Sequence, residues 1–222
     1  MHIMFKAGMM AIGLAVAATA TAGPAWEFTS AGNSFNNNNW IFADAFTVTS
    51  TVTATGLGYY ADPVNGQVDA NPVALYKCDT AGCFTTGTLL ASVTVDNTYA
   101  LFDHFRYVTI APVTLDPGDY LVSGVSHGNN YTWNDPGFST DPSIIYPLNQ
   151  TRWQLAGASP DFLNYVNTGE IESDGFHGPN VFLGRPTFTG GVPDAATWML
   201  MITGFGLVGV TQRRRRETVV AA

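Results

Sequence analysis

The chain reads as an all-β protein: a jelly-roll-like antiparallel β-sandwich preceded by an N-terminal signal peptide and followed by a single C-terminal transmembrane helix. Three observations predict this. Short runs alternate apolar and polar residues through the middle, Gly, Pro, Asn and Asp punctuate them at short intervals, and long uncharged apolar runs occur only at the two ends. With 222 residues, 46% of them hydrophobic and 12% charged, the chain is too apolar for disorder and too short for several large domains. We therefore divide it into a signal peptide at 1–22, a β-sandwich domain at 23–190 and a tail at 191–222.

The N-terminus comes first. Met1 to Lys6 is short and weakly basic, Ala7 to Ala18 is apolar, and Ala20-Thr21-Ala22 supplies a small-x-small cleavage site. Gly23-Pro24 stops a helix there, so cleavage after Ala22 is expected and the rest of the chain is read as exported.

In the run from Phe46 to Thr55, Phe46, Val48 and Val52 alternate with threonines, the period of a strand with one buried face. Further strands are expected over Leu57 to Ala61, Val73 to Lys77, Leu89 to Val95, Phe105 to Val113, Tyr120 to Ser126 and Asn180 to Phe188. Turn chemistry separates them at Asp62-Pro63, Asn65-Gly66, Asp79 to Gly82 and Asp116 to Asp119. No stretch here keeps a helical period, so two antiparallel sheets of about eight or nine strands, packed face to face, follow. Cys78 and Cys83 flank the turn at Asp79 to Gly82 and are expected to form a disulfide across it in the oxidising compartment.

Residues 127–179 differ in texture. They are dense in Gly, Asn, Asp and Pro, carry Tyr131, Trp133, Tyr146, Trp153, Tyr165 and Phe176, and predict a long structured loop region. Such loops hold ligands more often than strands do. Trp133 and Trp153 are candidates for stacking on sugar rings, or for plain packing. Glu170, Glu172 and Asp174, three acids at alternate positions, are a candidate Ca²⁺ cluster or a solvated acidic edge, and no other cofactor is expected. His177, in Gly175-Phe-His-Gly-Pro179, reads as a turn residue.

Charge and motifs narrow the function. Between residues 23 and 192 there are 15 acids and 4 bases, a net of −11, which disfavours nucleic acid as a partner. Gly124-Val-Ser-His-Gly128 matches G-x-S-x-G only formally, since no helical run follows it, and no H-E-x-x-H occurs, so catalytic residues are expected to be absent; paired carboxylates of the glycosidase kind leave no mark in spacing. In the tail, Gly204-Phe-Gly-Leu-Val-Gly209 matches a dinucleotide-binding pattern only formally, because 13 residues after it cannot complete a βαβ unit.

The tail runs uncharged from Ala195 to Thr211 and ends in Arg213, Arg214, Arg215 and Arg216. As a helix those residues span about 26 Å, within the usable range for crossing a bilayer. The arginines put its end in the cytoplasm, in agreement with a β domain exported by the signal peptide. Pro193-Asp194-Ala195, Trp198, Gly204-Phe205-Gly206 and the four arginines resemble the PEP-CTERM sorting signal of Gram-negative bacteria, over about 25 residues. The resemblance implies recognition by a membrane-embedded exosortase, cleavage near the proline motif, an inner-membrane intermediate, and release to the cell surface or exopolysaccharide matrix. Asp-Ala stands where that pattern has Glu-Pro, and Glu217 to Ala222 run on past the arginines.

More loosely, Phe46-Thr-Val, Gly56-Leu-Gly-Tyr-Tyr60, Val73-Ala-Leu-Tyr76, Leu89 to Val95, Phe105-Arg-Tyr-Val108 and Leu115 to Val122 resemble an uncharacterised β-sandwich family of secreted bacterial surface proteins. This covers about residues 40–126 and implies fold alone. The expectation is a non-enzymatic surface or matrix protein with an adhesive or structural role. The alternative is a secreted carbohydrate-binding or carbohydrate-cleaving module acting on exopolysaccharide.

Overall fold

The computed structural model describes residues 22–61, 70–128, 131–147, 151–155, 158–167 and 175–184. Within them the chain is all-β. Sixteen strands follow in order: β1 Gly23–Pro24, β2 Trp26–Glu27, β3 Asn33–Phe35, β4 Trp40–Val48, β5 Val52–Tyr60, β6 Asn71–Cys78, β7 Gly87–Val95 and β8 Leu101–Phe102. After them come β9 Phe105–Leu115, β10 Gly118–Val125, β11 Tyr131–Trp133, β12 Ser139–Thr140, β13 Ile144–Ile145, β14 Arg152–Leu155, β15 Phe176–His177 and β16 Pro179–Leu183. One 3₁₀ turn, Ala81–Cys83, interrupts them.

Two larger antiparallel sheets form a sandwich-like body. One has the order β1-β16-β5-β9-β8, the other β13-β4-β10-β6-β7 with β14 also on β4. A small sheet, β15-β11-β3, and the pair β12-β2 complete the pairing. Between the large sheets lie Phe46, Leu57, Tyr59, Leu75, Val122 and Val181, each at most 1% exposed. Burying one such side chain contributes about 1.5–3 kcal/mol.

The alternating runs between residues 71 and 125 became β6, β7, β9 and β10, within two residues of the expected bounds. The run from Phe46 to Thr55 did not stay one strand. It ends at Val48 and restarts at Val52 in the opposite sheet, so Thr49-Ser50-Thr51 forms a corner. Side chains and a distant loop satisfy that corner: the Thr49 N–H donates to the Ser143 carbonyl at 2.8 Å, and the Thr51 hydroxyl to Asp116 Oδ1 at 3.2 Å. β5 is buried on both faces, and Gly58 is required there because a Cβ would lie 2.4 Å from the Tyr107 ring. β16 covers the first part of the expected strand from Asn180, and residues beyond 184 lie outside the described ones.

The second sheet is also covered on its outer face. Ile41, Ala43, Ala45, Leu121 and Val125 pack there against Cys83 and Leu163, with Tyr76, Cys78 and Phe162 at the margin. Cys78 and Cys83 are bonded, their Cα atoms 5.0 Å apart, and the turn between them takes the left-handed conformation at Gly82 (φ 72°) and Cys83 (φ 59°). Arg152 locks this cover down. Its side chain is fully buried and donates to the carbonyls of Gly82 at 2.6 Å, Cys83 at 2.6 Å and Leu163 at 2.5 Å. Burial pushes its pKa down to about 10, which the Asp44 carboxylate partly opposes.

Candidate functional site

The small sheet β15-β11-β3 has two unlike faces because its residues alternate. Tyr131, Trp133, Phe35 and Phe176 share one face, while Thr132, Ser34 and His177 share the other. The polar face is an anchor. Asp135 Oδ1 accepts the Gly32 N–H at 2.7 Å and the Thr132 hydroxyl at 2.6 Å, and Asp135 Oδ2 lies 2.8 Å from His177 Nδ1. Ser34 Oγ lies 2.9 Å from the Tyr60 hydroxyl, which ties the small sheet to β5.

His177 is therefore not a turn residue. It is fully buried in β15, its ring stacked at 5.0 Å on Phe138 and at 5.8 Å on Phe28. Both side chains are closed to solvent. We read the pair as a structural clamp. A second pair, His104 Nδ1 to Glu27 Oε1 at 2.7 Å, flanks the same Phe28 ring, and burial raises the Glu27 pKa despite the Phe28 N–H and His104.

The aromatic face meets the start of β4. Phe42 lies 4.5 Å from Tyr131 and 5.7 Å from Phe176, ring centre to ring centre. β14 runs antiparallel beside β4 with Trp153 opposite Phe42, which brings the Trp153 ring to 5.4 Å from Phe176, edge on. Trp40, Phe42, Tyr131, Trp153 and Phe176 together line an open cleft of about 210 Å³. Phe42 and Tyr131 form its buried floor, and the other three rings are half-buried.

Polar contacts fix the walls. Asn37 Oδ1 accepts both the Trp40 indole N–H at 3.2 Å and the Tyr131 hydroxyl at 2.9 Å. The Trp153 N–H donates to Asn167 Oδ1 at 2.7 Å, and its carbonyl accepts the Tyr165 hydroxyl at 3.2 Å. Trp153 is thus held on both sides of its own backbone before any ligand arrives.

Of the two tryptophans singled out by sequence, Trp153 lines the cleft. Trp133 backs it, 6.2 Å from Phe176. Trp40, Phe42 and Tyr131 were missed as site residues, since nothing local says that β4 and β14 are neighbours across about 110 residues of chain. The acids Glu170, Glu172 and Asp174 lie outside the described residues, and among the described ones no three His, Cys, Asp or Glu side chains come close enough to hold a metal. Pro193, Asp194, Ala195, Trp198, Gly204, Gly206 and Arg213 to Arg216 also lie outside them. Among the described residues no helix is long and apolar enough to cross a membrane. No protein-family model matches the chain, and no curated protein is significantly similar to it.

Proposed function

We propose that this chain is an exported, non-enzymatic surface or matrix protein of a Gram-negative bacterium, sorted by its PEP-CTERM-like tail. The observation that carries the reading is the tail itself: a proline motif, a Trp-containing apolar run and four arginines in that order, behind an acidic β domain and a signal peptide. An exosortase is its processing partner and the inner membrane its intermediate stop. Intact-mass analysis of surface-extracted protein tests this. The expected species lacks residues 1–22 and the tail beyond about Pro193; recovery of only the full-length tail would leave a plain membrane anchor.

We read the sandwich as a jelly roll. If β1, β4, β5, β6, β7, β9, β10 and β16 are numbered one to eight, the sheet orders become 1-8-3-6 and 2-7-4-5, as two wrapped Greek keys require. A second reading, carbohydrate binding, is favoured by the aromatic cleft at Trp40 and Trp153, which offers rigid apolar planes beside amide groups. A glycan array run beside a reducing-sugar release assay separates binding from cleavage, and binding without release is the expected outcome.

A further inference from the structure

We propose that the cleft between Trp40 and Trp153 takes a single neutral pyranose ring, a chain end or a side branch of an uncharged polysaccharide. The proposal rests on the carbohydrate-binding reading and goes further, to the ligand's charge and size and to the residues that choose it.

Size is the first argument. Pockets that enclose drug-sized ligands measure about 300–1,000 Å³, whereas this cleft has about 210 Å³. One ring fits it and an enclosed oligosaccharide does not. The five lining side chains are all aromatic, which suits the C–H-rich face of a pyranose, whose contact with a ring is mostly dispersion and released water.

A polar group for the sugar hydroxyls stands beside the cleft. Because Asn37 Oδ1 already accepts two donors, its carbonyl end is committed to Trp40 and Tyr131, and its amide NH₂ is the end turned away from them. An exposed carboxamide beside the Trp40 and Tyr131 rings recognises hydroxyls without demanding a charge.

Charge is the deciding argument. Among the described residues the lining holds no Lys, Arg or His to meet a carboxylate or sulfate. Arg152, next to Trp153 in sequence, projects to the opposite face of β14, where its guanidinium is committed to three carbonyls. Residues 23–192 carry a net −11, so an anionic polymer is repelled at long range as well.

Affinity electrophoresis of the full chain in gels containing neutral polymers (glucan, mannan, galactan) or acidic ones (alginate, polygalacturonate) tests this. We expect retardation in at least one neutral gel, loss of about tenfold or more in affinity for Trp153→Ala and Trp40→Ala, and no more than about a twofold change for Trp133→Phe. Quenching of tryptophan fluorescence by the methyl glycoside of the retained sugar, absent in Trp40→Phe, gives a second readout should Trp153→Ala fail to fold. Equal or stronger retardation by acidic polymers, lost with Trp153, would overturn the neutral-ring assignment and leave carbohydrate binding standing. Retardation in neutral gels unaffected by Trp40 and Trp153 would overturn the site. No retardation in any gel would overturn both the inference and the reading beneath it.

Discussion

Arg152→Ala should be among the most destabilising single changes in this domain. Three hydrogen bonds from a charged donor contribute about 1.5–3 kcal/mol each, roughly 4.5–9 kcal/mol in all. Against this stands the cost of burying the charge. A pKa lowered from 12.5 to about 10 corresponds to about 3 kcal/mol. The guanidinium is therefore a net stabiliser. Its removal also strands the carbonyls of Gly82, Cys83 and Leu163 under a sealed layer, although water entering the vacated space restores part of their bonding. A loss of about 3 to 5 kcal/mol follows, or roughly 6 to 20 °C in Tm for a domain of this size. Arg152→Lys should recover only a minor part, because one ammonium cannot span three carbonyls set for a planar fork. Urea unfolding followed by tryptophan fluorescence measures it. A midpoint change worth less than about 1 kcal/mol with unchanged slope would show that solvent replaces the guanidinium, and the reasoning would fail.

The disulfide should matter less than Arg152. Closing so short a loop removes only about 2 kcal/mol of chain entropy, so Cys78→Ala with Cys83→Ala should cost no more than about 2 to 3 kcal/mol in urea, and its effect should not add simply to that of Arg152→Ala, since both hold the Gly82-Cys83 turn. Alkaline pH should destabilise the fold. Burial raises the pKa of Tyr59 and Tyr107 well above 10, so above pH 10 the folded state keeps protons the unfolded chain has lost; two such groups cost about 3 kcal/mol by pH 11. Arg152, depressed to about 10, works in the other direction and offsets about half, leaving a net loss of about 1 to 2 kcal/mol between pH 9 and 11; urea titrations that find no loss would mean the buried phenols ionise freely. Replacing Arg213, Arg214, Arg215 and Arg216 with Gln should release the protein toward the periplasm or medium with its C-terminus intact, because carrying even one Arg through the bilayer centre costs about 2.5–3.5 kcal/mol. Fractionation with a C-terminal tag checks this, and unchanged membrane retention would show that the apolar run alone suffices.

The sequence by itself determined four strands in the middle of the chain. In β6, β7, β9 and β10 burial alternates or saturates in step with the residue pattern, and turn residues mark each end, so local chemistry was enough. It also determined the disulfide, whose two cysteines sit five residues apart around a turn. Only the tertiary structure decided the rest. The threonine-rich run at 46–55 looks continuous because Val48 and Val52 keep the same period, yet a sheet change at Thr49 to Thr51 leaves that period intact and so leaves no local trace. His177 looked like turn chemistry because its partner, Asp135, is 42 residues away. Trp153 meets Phe42, and Arg152 meets Gly82, across still longer stretches. Period and turn propensity are properties of a few consecutive residues, whereas a cleft, a clamp and a buried guanidinium are made by residues that become neighbours only when the sheets close.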